Sequence, residues 1–379
     1  MQTLAPPAGG PDNPAGHTAD EVRAALVGRT GARRFTFRYA LLSATNQYLY
    51  DLDDVTSCTV QQDWLADIKR TATLQIRDTG SINYLSDRIQ PWVRLHLPPY
   101  GPDDWVQWPQ GVFILSTPTR THNKAGQVLR DVDAYDLAQV LADDAVTSRY
   151  TVAANANYIS VASVLLGVGS KVVIPSSPTA PVGKEWEPGT SKLQIINDLL
   201  AAVNYNSVSY DESGTAVVRP YTAPDQRPDE WTYADDQDSV ILPEVDQTYD
   251  LVGVPNRWTM VVSDPDRVAL TSTYTNSNPA SPTSTVRRGR VIVDFESGVD
   301  AADQATLDAL VARKAFEASQ VYEQIEFSTG LMPIHSGNDV YRIGFGRLAL
   351  GASYAETSWQ MPLKAGAQMR HTARRVVPV

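Results

Sequence analysis

The stretch IHSGNDVYRI at 334–343 combines a histidine with a carboxylate. His335 and Asp339 flank a Ser-Gly-Asn turn, and such a pair could act as a general base and the acid that orients it. The surrounding residues favour a different interpretation. Ile334 ends one apolar run and Val340 starts the next, while glycine and asparagine tolerate the positive φ of a tight turn. No third partner for His335 is evident, so we interpret the stretch as a connection that leads into a strand.

The other histidines are His17, His96, His122 and His371, and no two of the five have the three- or four-residue spacing of ligands on one helix face. His96 alternates with apolar residues in WVRLHLP and is predicted on the solvent face. His371 lies on a predicted strand and His122 in a predicted turn. Cys58 is the sole cysteine, which excludes an internal disulfide and a cysteine-based zinc site, and its context predicts a buried strand thiol.

Motifs for nucleophilic or phosphate chemistry are incomplete. The chain has no Gly-x-Ser-x-Gly elbow, and neither GVGSK at 167–171 nor GFGRLALG at 344–351 completes a nucleotide-binding fingerprint. The sequence therefore predicts no catalytic residue, no cofactor-binding residue, no metal ligand and no cofactor. Grouped carboxylates occur in turn-like contexts, where aspartate closes the backbone. These groups are Asp51, Asp53 and Asp54; Asp103 and Asp104; Asp143 and Asp144; and Asp235, Asp236 and Asp238.

Trp105 and Trp108 in DDWVQWPQG could form a platform on which a sugar ring stacks, but tryptophans on strands and turns are more often packing anchors. The net charge of −11 argues against a protein that holds nucleic acid, because phosphate binding depends on Lys and Arg. No apolar run is long enough for a membrane helix. The first residues lack the charged start and apolar core of a secretory signal.

Short alternating runs separated by turns predict a β-rich region from Phe35 to about Asp133, followed by a short helix, LAQVLAD, capped by Asp136. Before this region, residues 1–17 are rich in Pro, Gly and Ala and are predicted to lack fixed structure. Thr18 and Glu21 form a capping box that opens a short helix. Such a helix is marginal alone, so we expect it to dock on this chain or on a neighbour.

The later segments predict a second architecture followed by a return of the first. Two helical segments, YISVASVLLG and TSKLQIINDLLAAVN, and a hairpin closed at Gly214 form a small α+β module. After a linker at 220–231, strands return around a polar, mobile loop, TSTYTNSNPASPTST, and a helix at about 301–322 capped near Asp300. The predicted fold class is α+β, mostly β, with two antiparallel β domains flanking the module. We find no residue-level repeat between the halves.

The predicted domains follow these changes in composition. They are an N-terminal extension with a short helix (1–33), a first β domain (34–147), an α+β accessory module (148–222), and a second β domain with a linker and a long helix (223–379).

Several of these segments resemble baseplate or tail-tip hub proteins of long-tailed bacteriophages. This family of minor tail proteins is related to the N-terminal part of tail-associated lysins. FRYALLSATNQYLYDLDDVTSCTVQQDWLADIKRTATLQI resembles the opening of the family's first tube-like domain, and DVDAYDLAQVLADD resembles its close. VPNRWTMVVSD and GNDVYRIGF…YAETSWQMPLKAGAQMRHTARRV resemble the later tube-like domain. The resemblance covers roughly 35–379, in order.

The resemblance implies a structural role and no enzymatic activity. Hub proteins carry two tail-tube-like β domains separated by accessory modules, so a homotrimer presents six such domains. The trimer adapts the sixfold tail tube to the threefold tip, around the channel through which DNA is ejected. An acidic or neutral lining suits passing DNA, which is not bound specifically. The IHSGNDVYRI turn would then face the channel, a sister subunit or solvent.

The resemblance also implies the location and the partners. The protein is expected in the virion, at the distal end of the phage tail, after synthesis in the host cytoplasm, without membrane insertion of its own. Its partners would be two further copies, the distal tail protein, the tail tube or tape-measure protein, and a tip, spike or fibre protein. The Pro-rich, helix-bearing N-terminus is not part of the family's common pattern, and our own hypothesis is that residues 18–30 contact an adjacent tail protein. No lytic domain is expected after the last strand.

Two alternatives remain open at this stage. The first is a carbohydrate-binding adhesin or receptor-binding tail protein, which needs clustered and exposed tryptophans such as Trp105 and Trp108. The second is a polysaccharide-degrading tail enzyme, which needs two carboxylates roughly 5–10 Å apart in a groove.

Overall fold

The computed structural model describes residues 1–116, 119–122, 126–167, 171–172, 183–250, 252–262 and 269–377. Strands hold 41% of the residues and helices 17%, which confirms the prediction of an α+β, mostly β fold. In the described part of the chain, no helix has the length and apolar character required to cross a membrane.

Most of the longer strands alternate buried with more exposed side chains, as the sequence periodicity predicts. In the first part of the chain they are β1 (Arg34–Leu42), β2 (Tyr48–Asp51), β3 (Val55–Asp63), β4 (Arg70–Arg77), β5 (Arg88–His96), β6 (Trp105–Pro109), β7 (Phe113–Leu115), β8 (Thr119–His122), β9 (Val128–Asp136), β10 (Tyr150–Val152), β11 (Lys171–Val172) and β12 (Lys184–Trp186). In the second part they are β13 (Ser209–Tyr210), β14 (Ala216–Val218), β15 (Trp231–Ala234), β16 (Ile241–Tyr249), β17 (Arg257–Val262), β18 (Leu270–Thr275), β19 (Val293–Ser297), β20 (Glu323–Gly330), β21 (Val340–Phe345), β22 (Leu350–Pro362) and β23 (Gln368–Arg375).

The helices begin close to their predicted caps. The capping box of Thr18 and Glu21 is confirmed, and Ser191 caps the second helix of the small module. The long helix is capped by Asp303 instead of Asp300. Asp136 lies two residues before the start of its helix, where its oxygens accept from the N–H groups of Ala138 and Arg70, and the residue at the cap position is Leu137. The α-helices are α1 (Ala19–Leu26), α2 (Ala138–Asp143), α3 (Tyr158–Leu166), α4 (Lys192–Ala201), α5 (Thr285–Arg288) and α6 (Gln304–Gln320), and two 3₁₀ turns span Pro224–Gln226 and Gly346–Leu348.

One 15-stranded sheet runs through both halves of the chain. It contains two four-stranded segments with the same spatial order. The first segment is β3–β4–β9–β8 and the second is β16–β20–β23–β22. The two segments join where β22 pairs antiparallel with β3. One chain therefore contains the same four-stranded arrangement twice, and the two segments lie side by side in one sheet.

The register of the two segments also repeats. Corresponding positions form the same rows of cross-strand partners, Gln61–Thr71–Tyr135 in the first segment and Thr248–Gln324–Arg374 in the second. Each outer hairpin carries a one-residue register shift, between Leu115 and Thr119 in the first segment and between Glu356 and Ser358 in the second. The repeat lies in backbone pairing, which tolerates different side chains as long as the alternation is kept. This is why no residue-level repeat is visible in the sequence.

Separate apolar cores stabilise the other elements. Helices α2, α3 and α4 pack with strands β10, β12 and β14 in one cluster that includes Trp186, Leu193 and Leu199. The three-stranded sheet β18–β17–β19 packs its inner face, with Trp258 and Met260, against α6. The main core lies under the large sheet and contains residues from both halves. The predicted domain boundaries stay a prediction, because strand pairing crosses between the halves.

The N-terminal residues do not match the sequence expectation, because residues 1–17 are packed and do not lack fixed structure. The indole N–H of Trp108 donates to the carbonyl of Thr3, and the N–H of Gln2 donates to the carbonyl of Ile334. Helix α1 docks on this same chain and buries Val22, Ala25 and Leu26. Low sequence complexity misled the prediction, since proline fixes φ and lowers the entropy lost on packing.

The polar loop after β18 is also ordered, contrary to the predicted mobility. Asn276, Ser281, Thr283 and Ser284 are completely buried. The side-chain amide of Asn276 donates to Ser281 Oγ over 2.8 Å, and that of Asn256 donates to the carbonyl of Thr283 over 3.2 Å. Hydroxyl and amide side chains satisfy the backbone here in place of a sheet ladder.

Candidate functional site

The histidine singled out by the sequence lies in the protein interior. His335 is 0% exposed and Asp339 is 1% exposed, so these two side chains face neither a channel nor solvent, although the turn residues 336–338 between them are half-buried. Asn338 adopts the expected positive φ of 59°. Gly337 is required for a different reason, because a Cβ there would lie 2.9 Å from the ring of Trp64.

Strands β22 and β23 supply the partners that sequence reasoning missed. Nδ1 of His335 lies 2.7 Å from Oε2 of Glu356 and 3.2 Å from Oδ2 of Asp339. Nδ1 of His371 lies 2.7 Å from Oε1 of the same Glu356. One buried carboxylate therefore bridges two imidazoles. His335, Glu356, His371 and Tyr233, whose ring packs on His335, form what we call the histidine network.

The remaining ring nitrogens also have partners. Nε2 of His335 lies 2.5 Å from the hydroxyl of Tyr233, and Nε2 of His371 lies 2.9 Å from Oγ1 of Thr329. The hydroxyl of Tyr341 reaches Oε1 of Glu356 over 3.4 Å. Buried polar groups are stable only when hydrogen-bonded in this way.

The two imidazoles have pKa values that are shifted in opposite directions. Burial lowers the pKa of His335, but the charge of Glu356 and hydrogen bonds to Asp339 and Glu356 outweigh it and raise that pKa to about 9. Burial dominates at His371 and lowers its pKa. At Asp339, burial is outweighed by the hydrogen bond to His335 and by the Met1 amino group, which hold the pKa of the carboxyl well below its usual range. At neutral pH the network thus contains a charged His335 and a neutral His371.

His335, Glu356 and His371 are also the group of described residues whose donor atoms lie close enough together, within 4.8 Å, to hold a metal ion. Their 2.7 Å separations suit hydrogen bonds between nitrogen and oxygen. An ion would have to displace those bonds. The side chains are also sealed from solvent, so a substrate cannot reach them while the fold is intact. We interpret the network as structural.

A signal for the network exists in the sequence. His371 alternates with Arg370 and Thr372, which places it on the same strand face as Met369 and Ala373. Both apolar neighbours are completely buried, and a histidine on an apolar face requires a polar partner. Only the pairing of β21, β22 and β23 reveals that Glu356 is that partner.

The other predicted residues are not brought together. His96 contacts Thr36 at the C-terminal end of β5, His17 lies near Asp104, and His122 lies in strand β8 and not in a turn. Cys58 is buried in β3 as predicted, and burial raises the pKa of its thiol. Part of GVGSK, 168–170, lies outside the described residues, and GFGRLALG forms the turn between β21 and β22.

The tryptophan pair does not form a sugar platform. Trp108 is 1% exposed, and the guanidinium of Arg94 covers the ring of Trp105 at 3.8 Å. The grouped carboxylates close turns and form surface ion pairs. Examples are Asp51 with Arg38, Asp104 with the Gly101 N–H, Asp144 with Lys192, Asp235 with the Gly346 N–H, and Asp238 with Arg29.

A second candidate site is the outward face of the repeated sheet, which we call the polar face. Alternate residues of the two four-stranded segments point to this side and are exposed or half-buried, while their neighbours enter the core. A groove crosses the junction of the segments, and Gln61, Asp63, Asp246, Glu326 and Arg370 contribute to its lining.

The composition of the polar face is unusual for a binding surface. Hydroxyl and amide side chains dominate, and acidic residues outnumber basic ones. The acids are Asp63, Asp131, Asp133, Asp246 and Glu326, and the bases are Arg77, Arg370 and Arg374. Such a face offers few cations for phosphates and little apolar area for a ligand.

No protein-family model matches this chain, and no curated protein matches its sequence. Solved structures do match its fold. The tail protein from Neisseria meningitidis MC58 superposes with a TM-score of 0.63 at 12% identity, covering 89% of this chain and 96% of that chain. The 43 kDa tail protein of prophage MuSo2 from Shewanella oneidensis superposes with a TM-score of 0.59 at 11% identity, covering 90% and 98%.

A third structure extends the comparison beyond phages. The E. coli c3393 protein is a component of the type VI secretion system, described as structurally similar to the T4 bacteriophage tail proteins gp27 and gp5. It superposes with a TM-score of 0.51 at 8% identity, covering 86% of this chain and 74% of that chain. At these identities the likeness concerns the fold, and on this evidence the chain has the fold of tail and tail-like proteins, as the sequence resemblance predicts.

Proposed function

We propose that this protein is a structural hub at the distal end of a phage tail, where three copies form a ring around the DNA channel. The observation that carries the proposal is the repeated four-stranded segment, because three copies would present six equivalent segments. A ring of this kind matches a sixfold tube on one side and a threefold tip on the other. The fold likeness to tail proteins supports the same role.

The polar face supports a channel lining. A surface rich in hydroxyls, amides and acidic groups does not retain a polyanion, because phosphate binding requires neutralising cations. In the ring we place this face inward, toward DNA that passes without being bound. The apolar cores and the histidine network then hold each copy rigid from the other side of the sheet.

The role is non-enzymatic in this proposal. The fully enclosed histidine network and the turn positions of the grouped carboxylates favour it over a polysaccharide-degrading enzyme. The covered rings of Trp105 and Trp108 favour it over a carbohydrate-binding adhesin. Its partners would be a distal tail protein, the tail tube or tape-measure protein, and a spike or fibre protein. The domain division at 1–33, 34–147, 148–222 and 223–379 belongs to the same proposal.

Light scattering of the purified protein at several concentrations, with electron microscopy of the same samples, tests the ring. We expect a species of three copies with a central opening. A stable dimer, or a protein that stays monomeric at every concentration, would contradict the proposed ring.

A further inference from the structure

The outermost strands of the two repeated segments, β8 and β16, each have an unpaired edge among the described strands. Strand β8 pairs with β9, and β16 pairs with β20, and among the described strands neither has a partner on its other side. All four side chains of β8 are exposed. An open edge presents unpaired N–H and C=O groups that can pair with another chain.

The internal repeat indicates what each edge would pair with. Thr119 of β8 pairs with Asp131, and Asp131 faces the sixth residue of β4. Gln360 of β22 pairs with Arg370, and Arg370 faces the sixth residue of β20. Thr119 therefore corresponds to Gln360. By the same register, Thr248 of β16 corresponds to Gln61 of β3. In the second segment, the position equivalent to β8 is not open, because β22 pairs there with β3.

We propose that β8 of one copy pairs antiparallel with β16 of the next copy, in the way that β22 pairs with β3 inside the chain. The inference rests on the proposed ring and specifies its contact. Gln360 pairs with Gln61 and Pro362 with Thr59 within the chain. The equivalent pairs between copies are Thr119 with Thr248 and Thr121 with Asp246.

Charge favours this pairing over its alternatives. Strand β8 carries no acidic residue, and its Arg120 is paired with Asp78 of the same copy, whereas β16 carries Glu244 and Asp246 and no basic residue. Pairing β16 with a second β16 would bring acidic side chains together, and like charges across strands are destabilising. The contact is therefore between unlike edges. Contacts between unlike edges continue from copy to copy and close into a ring when the rotation between neighbouring copies allows it.

Cysteine cross-linking tests the pairing and its register. The variant Thr121→Cys, Asp246→Cys places one thiol on each edge, and a second variant uses Thr119→Cys with Thr248→Cys. Both positions of each pair lie on exposed edge strands, so folding is expected to be unchanged in circular dichroism. The natural thiol, Cys58, is 3% exposed and adds no background. Because the two edges lie at different ends of the repeated sheet, a disulfide must join two copies.

After mild oxidation, we expect covalent species of up to three copies on a non-reducing gel from at least one of these variants. Each single substitution should give no covalent product, and mixing the two single variants should give dimers. Thr121→Cys with Gln247→Cys is the register control and should stay uncrosslinked, because the two side chains would lie on opposite faces. An oligomer in light scattering that yields no cross-link overturns this interface and leaves the ring. A monomer at every concentration overturns both.

Discussion

Oε2 of Glu356 lies 2.7 Å from Nδ1 of His335, and neither side chain is more than 1% exposed. The carboxylate comes from the middle of β22, and the imidazole from the turn before β21. The same carboxylate also contacts His371 on β23. One residue therefore connects three consecutive structural elements beneath the polar face. What resembled half of a catalytic pair in the sequence is a buried connection that fixes this part of the sheet.

Replacing the bridging carboxylate should weaken the fold strongly. In Glu356→Gln the charge is lost, and the amide offers an N–H₂ group where a second acceptor is needed. Removing one partner of a buried ion pair typically costs about 3–5 kcal/mol of unfolding free energy. Denaturant unfolding measures the change.

Glu317→Gln is the matched control for that substitution. Glu317 pairs with Arg313 on the surface of α6 and is half exposed, and an exposed pair of this kind is worth roughly 0.5 kcal/mol. Equal losses in the two variants would show that the network contributes nothing beyond a surface ion pair.

Stability should decline in alkali because of His335. Its folded pKa of about 9 lies above the ordinary value of 6.5, so the folded state binds this proton more tightly than the unfolded state. The contribution is complete below pH 6.5 and is lost as the pH rises through 9. A shift of this size corresponds to about 3 kcal/mol.

The comparison with His335→Gln isolates this contribution. The Met1 amino group also has a raised pKa and gives a similar alkaline decline, which both proteins retain. Unfolding free energies measured from pH 6 to 10 should therefore fall more steeply in the natural protein than in the variant. Parallel curves would mean that His335 does not carry the charge.

Helix α1 should contribute to the stability of the isolated protein. Leu26 is completely buried against the main core. Leu26→Ala should lower the unfolding free energy by about 2–5 kcal/mol, because it removes apolar contact and leaves a cavity. Leu85→Ala is the control, since Leu85 is 99% exposed and its loss should cost less than about 0.5 kcal/mol. An unchanged stability in Leu26→Ala would contradict a stabilising role for α1 and would favour the earlier hypothesis that this helix contacts a neighbouring tail protein.

Basic substitutions on the polar face should slow the passage of DNA. Asp133 and Glu326 are both exposed on this face, one in each segment. In assembled particles, Asp133→Lys with Glu326→Lys would give the channel cations that hold phosphates, and the delay should diminish as salt increases. The neutral pair Asp133→Asn with Glu326→Gln separates charge reversal from loss of the carboxylates. Ejection that is equally fast in all three proteins would place this face away from the DNA.

Features that depend on neighbouring residues could be predicted from the sequence. The capping box of Thr18 and Glu21 forms within one turn, so its residues identify it directly. The alternation of apolar and polar residues located most strands, because side chains on a strand point to opposite faces whatever the strand pairs with. The same local logic correctly assigned Cys58 to a buried strand.

The tertiary structure decided every feature that joins distant residues. Glu356 meets His335 and His371 only because three strands pair in one register, and no local pattern specifies that register. The repeat of the sheet is likewise a property of backbone pairing, which many side chains satisfy. The order of residues 1–17 depends on a surface formed by Trp108 and Ile334. The sequence by itself determined where strands and turns occur, and strand pairing determined which polar groups became enclosed and which edges stayed open.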